Sequence, residues 1–342
     1  MYKILSFFLS FLNAERLHKT LLSCVAVMDR FRIFHPLTRF LYKKTDSSLE
    51  RTVFNIKFKN PVGLAAGVDT SGKYCRQLSN LGLGFVEIGS VTPLPQKGNP
   101  APRLFRLPKD KAIIARMGYN NDGVKAVIEN LKKSRPSAII AANISKNSIS
   151  EGDKIAKDYG YCFSMLYDFV DMFVVNISCS FADGKQPDIS YLSEILDEIL
   201  DTRMTLDQYK PVLLKISPDI GHSQVDEILD YALLSGIDGI VAGGSTSGRE
   251  NLATRPKKLE IIGEGRLSGA PLFQKNLELV KYINEKTKGR LPIIGCGGIM
   301  TPQNAKEMLD AGASLIEICT GFFYDGPSLV KKINKYLISN NA

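Results

Sequence analysis

Short apolar runs recur along the chain from Asn60 onward, and longer stretches with helical spacing separate them. There are eight such runs, at residues 62–66, 85–88, 138–144, 172–177, 212–216, 239–242, 292–295 and 315–319. Helical patterns between them include residues 191–200 and 225–234. Because the runs are apolar nearly throughout instead of alternating with polar residues, they predict parallel strands that are buried on both faces.

Eight strand and helix units in a 342-residue chain match the size of an α/β fold of the (β/α)8 TIM-barrel type. The alternative is a doubly wound open sheet. No Gly-x-Gly-x-x-Gly follows the first run, and the glycines at 295, 297 and 298 lie near the end of the chain without that spacing. The pattern therefore favours a barrel, which we expect to span residues 46–342.

Residues 1–45 predict a small helical extension in front of the barrel. The apolar stretch at residues 5–12 is shorter than the roughly 20 residues needed to cross a bilayer, and it lacks the cleavage site of a secretory signal. Asn13 can cap a second helix whose apolar positions follow helical spacing. One interpretation is a helical hairpin docked on the barrel. We favour a helix pair lying in the membrane interface, because aromatic residues are concentrated there.

The distribution of charge supports a membrane surface as the partner of this extension. The chain carries a net charge of +9, and residues 1–44 hold eight Lys or Arg against two acidic residues, so +6 lies in this segment. A basic amphipathic segment is attracted to anionic lipid. We therefore expect a peripheral protein on the cytoplasmic, inner face of the cell membrane, and no nucleic-acid partner.

Cysteine and histidine usage argues against a metal site. The six cysteines, at 24, 75, 162, 179, 296 and 319, include no Cys-x-x-Cys pair and have no histidine at ligand spacing. Neither a zinc site nor a disulfide framework is predicted, and a reducing compartment fits best. The chain has three histidines, and none lies near a predicted strand end, which disfavours chemistry that needs a histidine base.

The predicted strand ends carry small, amide, hydroxyl and lysine residues. In a barrel of this type the active site forms at the carboxyl ends of the strands. The residues found there are Ala66, Gly67, Ser90, Asn143, Asn176, Cys179, Lys215, Gly243, Gly297, Gly298, Cys319 and Thr320. A lone cysteine at such a position is more often a small buried side chain than a catalyst. Its neighbours make the strand ends a candidate site.

The last two loops suggest a phosphate-binding site. Gly297 and Gly298 follow the seventh strand, and Thr320 follows the eighth, where barrel enzymes often bind phosphate with backbone N–H groups. The alternative for each loop is a tight turn. Asparagines and Lys215 at other strand ends suit a flavin ring, because amides pair with its pyrimidine edge and a cation stabilises the reduced ring. The alternative for Lys215 is an ion pair inside the barrel.

Together these motifs resemble the dihydroorotate dehydrogenase family, specifically its membrane-associated, quinone-linked branch. The similarity covers nearly the whole chain. The matching stretches are Asn60-Pro-Val-Gly-Leu-Ala-Ala-Gly67, Glu87-Ile-Gly-Ser-Val-Thr-Pro93, Pro102-Arg-Leu-Phe-Arg106, Arg116-Met-Gly-Tyr-Asn-Asn121, Leu214-Lys-Ile-Ser-Pro-Asp219, Leu267-Ser-Gly269, Pro292-Ile-Ile-Gly-Cys-Gly-Gly-Ile299 and Thr320-Gly-Phe322. The resemblance implies an FMN-containing barrel that oxidises dihydroorotate to orotate in pyrimidine synthesis and passes the electrons to a quinone.

The resemblance also implies roles for individual residues. Cys179 falls at the position of the base that removes a proton from the substrate. Cofactor-binding positions are implied for Ala66, Gly67, Ser90, Asn143, Asn176, Lys215, Gly243, Gly269, Gly297, Gly298, Cys319 and Thr320. The implied substrate contacts are Asn120, Asn121, Asn176, Ser245 and Thr246, and the implied quinone-channel residues are His18 and Arg106.

Three substrate positions depart from the family pattern. Thr70 stands where the family has a lysine, Phe181 replaces an asparagine, and Gly243-Gly244 replaces a Thr-Asn pair. Lys73, one helical turn beyond Thr70, is a candidate replacement for the missing cation. Two alternative functions follow: an FMN-dependent oxidoreductase for a different dihydropyrimidine-like substrate, and a flavin-binding paralogue without turnover.

Overall fold

The computed structural model describes residues 34–177 and 189–340, together with Glu15, Arg16, Thr20, Leu22 and Ser23. Eight parallel strands form a closed barrel and follow one another around it in chain order, which confirms the predicted (β/α)8 fold. The barrel strands are β3 (Val62–Leu64), β4 (Phe85–Val91), β7 (Ile139–Ile144), β8 (Met172–Asn176), β9 (Val212–Ile216), β10 (Gly239–Gly243), β12 (Ile293–Cys296) and β13 (Ala313–Ile318).

Helices pack around the outside of the barrel. They are α1 (Phe34–Tyr42), α2 (Cys75–Ser79), α3 (Val124–Ser134), α4 (Lys154–Leu166), α5 (Ile189–Met204), α6 (His222–Ser235), α7 (Pro256–Ile262), α8 (Phe273–Thr287), α9 (Pro302–Asp310), α10 (Thr320–Asp325) and α11 (Pro327–Ser339). Short 3-10 turns occupy Ser47–Leu49, Pro108–Asp110, Tyr167–Phe169 and Ala270–Leu272.

Helix α3 shows how the apolar spacing places a helix on the barrel. Its buried side chains include Val124, Val127, Ile128 and Leu131, which share one face because their spacing matches the helical repeat. The helix ends where Arg135 adopts a left-handed conformation with φ 43°. The buried face joins the large hydrophobic core between the strands and the surrounding helices.

A second, smaller core fills the inside of the barrel. Alternate residues of the strands point inward because successive side chains of a strand face opposite sides, so Val174 lies inside while Phe173 and Val175 face the helices. A hairpin of β1 (Arg51–Val53) and β2 (Ile56–Phe58) closes the amino-terminal end. There the ring of Phe58 meets the ring of Phe85 edge-on at a centroid distance of 5.6 Å. This hairpin was not predicted from the sequence.

A three-stranded antiparallel sheet, which we call the cover sheet, was also not predicted. It consists of β5 (Leu104–Leu107), β6 (Ala112–Ala115) and β11 (Arg266–Gly269), with β6 in the middle. One face is held by a small core that includes Leu107, Ile114 and Leu267. Its strands are short insertions between barrel units, so their apolar positions are too few to stand out from the loops.

Helix α1 connects the extension to the barrel. Its Arg39 donates a hydrogen bond from Nε to Oδ1 of Asn80, at 2.9 Å. None of the helices formed by the described residues is long and apolar enough to cross a bilayer. Most of residues 1–33 lies outside the described part of the chain, so the division at residue 45 stays a prediction.

Candidate active site at the carboxyl end of the barrel

A cavity of about 460 Å³ lies between the carboxyl ends of the strands and the cover sheet. This volume falls within the range of small-molecule sites, and carboxyl strand ends are where barrel enzymes place them. The predicted cofactor residues that line it are Ala66, Gly67, Ser90, Asn176, Lys215, Gly243, Gly269, Gly297, Gly298, Cys319 and Thr320. Three predicted substrate residues also line it, namely Asn120, Asn176 and Ser245.

Asn143 lies just behind the cavity wall. Its Nδ2 donates to Oε1 of Glu87 at 2.7 Å, and its Oδ1 accepts hydrogen bonds from Ser90 and, at 3.2 Å, from Asn176. The Asn176 amide also donates to Oγ of Ser90 at 2.9 Å. Since Asn143 is fully buried, its described contacts hold the two side chains that line the cavity.

Two other predicted substrate residues do not line the cavity as the described residues define it. The Asn121 amide donates to Oγ1 of Thr92 at 2.8 Å, and its Oδ1 accepts from the N–H of Gly123 at 2.8 Å. The Thr246 hydroxyl donates to Asp219. Both side chains are therefore used to shape the loops that surround the site.

The floor of the cavity contains a buried charge cluster. Nζ of Lys215 lies 2.8 Å from Oε2 of Glu87 and 3.5 Å from Oε2 of Glu317, and both acids are fully enclosed. Burial lowers the pKa of Lys215, but the negative charge of Glu87, the nearer acid, outweighs this, so the pKa lies well above its ordinary value. Lys215 therefore forms the ion pair inside the barrel that was the predicted alternative, and the same side chain also lines the cavity.

The two acids of this cluster differ in protonation. Burial raises the pKa of Glu317 well above its ordinary value, and the neighbouring charge of Glu87 raises it further. The pKa of Glu87 is lowered, because the charge of Lys215 outweighs the effect of burial. These opposite directions favour the charged form of Glu87 and the protonated form of Glu317. Neither acid was predicted from the sequence, although a glutamate within an otherwise apolar strand run is a usable signal.

The glycine loops are explained partly by packing within the protein. A Cβ at Gly297 would collide with the Asn276 amide, and one at Gly298 would collide with the backbone of Phe273 in α8. At Gly244, by contrast, a Cβ would meet no described atom within 4 Å. The loop after β12, the seventh barrel strand, needs glycine to pass close to α8. The loop after β10 leaves open space beside the cavity.

A ligand would also satisfy polar atoms that the protein leaves without partners. The buried Oδ1 of Asn120 and Oε1 of Glu317 accept no hydrogen bond from any described residue, and both residues line the cavity. Buried polar atoms are nearly always paired, with protein, water or ligand. The cavity therefore suits a ligand with hydrogen-bond donors that can reach these oxygens.

Part of the cavity lining comes from the extension and the cover sheet. Glu15, Leu104, Ile113 and Phe323 all line the cavity. The Glu15 carboxylate accepts two hydrogen bonds from Arg103, at 2.8 and 3.1 Å, and both side chains are 11% exposed. This pair ties the extension to the edge of the cover sheet. It was not predicted, because the two residues are far apart in sequence.

Arg106, predicted for the quinone channel, contacts the cavity-lining residue Phe323. Its Nη2 donates to the carbonyl oxygen of Phe323 at 3.2 Å, and its guanidinium lies 5.2 Å from the centre of the Tyr324 ring. The predicted base Cys179, the departure at Phe181 and the predicted channel residue His18 lie outside the described residues.

The departure at Thr70 is part of the site. Thr70 lines the cavity, whereas Nζ of Lys73 lies 2.6 Å from Oδ2 of Asp122 and is half-exposed. The structure thus does not bring Lys73 into the position of the cation expected near Thr70.

This chain has the architecture of the barrel enzymes, a closed (β/α)8 barrel with a cavity at the carboxyl ends of its strands. The model of the family described as dihydroorotate dehydrogenase matches residues 48–340, so the chain belongs to the dihydroorotate dehydrogenase family. The family is one of flavin-dependent oxidoreductases.

Individual relatives agree with this family. The chain is 43% identical over 303 residues to a protein of Christiangramia forsetii, covering 87% of this chain and 86% of that protein. It is 38% identical over 348 aligned positions to one of Coxiella burnetii, covering 98% and 96%. Both relatives are named dihydroorotate dehydrogenase (quinone). The fold is similar to the crystal structure of DHODH in complex with ferulenol from Eimeria tenella, with a TM-score of 0.80, 28% identity, and coverage of 90% and 91%.

Proposed function

We propose that this protein oxidises dihydroorotate to orotate with FMN as resident cofactor and a quinone as final electron acceptor. The observation that carries the proposal is a cavity lined by two kinds of side chain. Asn120, Asn176 and Ser90 offer amides and a hydroxyl, whereas Leu104, Ile113 and Phe323 offer apolar side chains near Glu15. We assign the amide residues to the polar substrate and take the apolar residues as the entrance for the acceptor. The relatives named dihydroorotate dehydrogenase (quinone) support both assignments.

The residues present fit FMN. The open space at Gly244 and the unpartnered oxygens of Asn120 and Glu317 provide volume and hydrogen-bonding capacity. Gly269, Gly298 and Thr320 converge on the end of the cavity where we place the phosphate. When bound, FMN supplies the two-electron acceptor. Asn176, held by Ser90 and Asn143, orients the ring and substrate, and the Lys215–Glu87 pair sets a neutral floor.

We assign Cys179 as the base that takes a proton from the substrate. In the sequence it follows Asn176, the last residue of β8, by three positions. A thiol has a reference pKa of about 8.5, so its thiolate is accessible near neutral pH. A Cys179→Ala variant should lose about 100-fold to 10,000-fold in kcat while keeping its flavin. Full activity in that variant would remove the assignment.

On the acceptor side, we place the quinone in the entrance between Glu15, Leu104 and Phe323, with His18 and Arg106 alongside. The extension at residues 1–45 would dock the entrance on the inner face of the cell membrane, where a quinone is dissolved. Its basic residues and apolar faces support this placement. Sedimentation of the full chain with anionic vesicles, but not with neutral vesicles, is the expected result.

The visible spectrum of the purified holoprotein tests the proposed function. We expect a bound flavin that dihydroorotate bleaches under anaerobic conditions and that a soluble quinone restores. Purified protein that does not bind added FMN would contradict the cofactor assignment. Flavin that is bleached by another dihydropyrimidine but not by dihydroorotate would replace the substrate, and reoxidation by oxygen but not by any quinone would contradict the acceptor.

A further inference from the structure

Arg266 of the cover sheet is built into the cavity wall by several hydrogen bonds. Its Nε donates to Oγ of Ser245 at 3.0 Å, and its Nη2 donates to Oγ of Ser217 at 3.2 Å and to Oδ2 of Asp219 at 3.1 Å. The side chain is 20% exposed. Its Nη1 has no hydrogen-bond partner among the described residues. Nη2 also donates to the carbonyl oxygen of Ser245, so the hydrogens of Nε and Nη2 are all engaged. The two hydrogens of Nη1 are therefore the ones available to a ligand.

The other basic side chains of the described cavity lining are already occupied. Lys215 is neutralised by Glu87 at 2.8 Å. Arg116 donates to the carbonyl oxygens of Ile262, Glu264 and Pro102, and its guanidinium lies 4.7 Å from the centre of the Phe105 ring. Arg116 therefore holds loops together, and Arg266 is left to offer charge to the cavity.

The ion pair with Asp219 does not cancel the charge of Arg266. Oδ1 of Asp219 also lies 2.9 Å from Nζ of Lys275, which is half-exposed and does not line the cavity. Two cations thus share one carboxylate, so this group carries a net charge of +1. Although burial raises the pKa of Asp219, hydrogen bonds from Lys275, Thr246 and Ser247 and the charge of Arg266 lower it to about 2.

The space next to this cation is open. Gly244 follows β10 beside Ser245, and a Cβ there would meet no described atom within 4 Å. Gly244, Ser245 and Arg266 all line the cavity, and the missing side chain at Gly244 leaves room there. We infer that a ligand group can use this room to approach the hydroxyl of Ser245 and Nη1 of Arg266.

We propose that Arg266 binds the carboxylate of the anionic substrate and determines specificity for acids over neutral analogues. The proposal rests on the proposed function. In it, Arg266 of the cover sheet supplies the positive charge that the family has as a lysine at the position of Thr70. Arginine suits this role because it stays charged and Nη1 keeps its hydrogens for a charge-assisted hydrogen bond to a carboxylate oxygen. Ser217, Ser245 and Asp219 position the guanidinium, and the net charge of this group matches one carboxylate.

The test compares Arg266→Gln with Arg266→Lys in the FMN-loaded protein. The glutamine variant should raise KM for dihydroorotate, and the Kd of orotate seen in the flavin spectrum, by about 10-fold to 100-fold, because a charge-assisted hydrogen bond is lost. The lysine variant should recover most of the affinity. The carboxamide of orotate should bind wild type and Arg266→Gln within about twofold of each other. Arg249→Gln is the matched control, because Arg249 donates to backbone carbonyls and does not line the described cavity.

Two outcomes would overturn the proposal. One is an unchanged orotate Kd in flavin-loaded Arg266→Gln. The other is a variant that binds FMN more weakly but whose flavin-loaded fraction binds orotate with the wild-type Kd. That result would make Arg266 a cofactor contact. Failure of the proposed function has a different signature. Dihydroorotate would then not bleach the flavin of the wild-type protein. The role of Arg266 would still be decided by comparing how strongly wild type and Arg266→Gln each prefer carboxylate ligands to carboxamide ligands.

Discussion

Nζ of Lys215 lies 2.8 Å from Oε2 of Glu87, and both side chains are buried beneath the cavity floor. The lysine leaves β9 and the glutamate leaves β4, so the pair crosses the inside of the barrel. Glu87 also accepts the N–H of Ala66 at 2.8 Å and the amide of Asn143 at 2.7 Å. One carboxylate thereby fixes the lysine, a cavity-lining loop and the asparagine behind Asn176.

Glu87→Gln and Glu317→Gln should differ in their effect on stability. Removing one partner of a buried ion pair costs about 3 to 5 kcal/mol. Glu87→Gln should lower the free energy of unfolding by an amount approaching this range, because Lys215 loses its main partner. Glu317→Gln should change it by less than about 1 kcal/mol, because Glu317 is already neutral and an amide has a similar shape. Chemical denaturation of both apoproteins measures the difference.

An infrared measurement gives an independent check on the proton of Glu317. We expect wild type to show the C=O stretch of a buried, protonated carboxyl group, and Glu317→Gln to lack it. Two results together would mean that Glu317 is ionised. The two substitutions would destabilise the protein equally, and the infrared spectra of wild type and Glu317→Gln would not differ in this band.

Asp219 should make stability depend on pH in the acidic range. Its folded pKa is lowered to about 2, below the usual value of 3.8, so the ionised form is favoured by folding. The stabilisation is therefore complete above about pH 5 and is lost as the pH falls toward 2. After allowance for solvent screening we expect about 1 kcal/mol. The difference in unfolding free energy between wild type and Asp219→Asn, measured from pH 6 to pH 2, should shrink over this window. A constant difference would contradict the role of ionised Asp219.

Thr70→Lys should strengthen binding of an anionic substrate. Thr70 lines the cavity, so a lysine there places a second cation within it. We expect KM for dihydroorotate to fall by about tenfold, the value of one charge-assisted contact. Lys73→Gln is the control, because Nζ of Lys73 lies 2.6 Å from Asp122 and away from the cavity. A rise in KM in Lys73→Gln as large as tenfold would show that Lys73 reaches the substrate.

Breaking the pair between Glu15 and Arg103 should affect the quinone reaction selectively. Both side chains are 11% exposed, and the pair holds the extension beside the apolar entrance. In Arg103→Gln we expect KM for a soluble quinone to rise by about threefold to tenfold, while bleaching of the flavin by dihydroorotate keeps its rate. Stopped-flow measurement of the two half-reactions separates these effects. A slower bleaching step with unchanged quinone kinetics would place the pair on the substrate side instead.

Much of this architecture followed from the sequence. Apolar runs report burial directly, so the eight barrel strands were predicted in order and nearly to their ends. Strand ends of a barrel meet at one edge, so Ser90, Asn176 and Lys215 were expected to share a site before any distance was known. The family motifs then indicated which chemistry such a site performs.

Other features were decided by the tertiary structure alone. The pairing of Lys215 with Glu87, and the opposite pKa shifts of Glu87 and Glu317, depend on which side chains meet inside the barrel. The cover sheet brings Arg266 over Ser245, and the extension brings Glu15 to Arg103. These contacts join residues distant in the chain, and each involves polar groups whose sequence pattern is the same whether they are exposed or buried. Hydrophobic periodicity specifies which elements form, whereas long-range packing specifies which charges are neutralised.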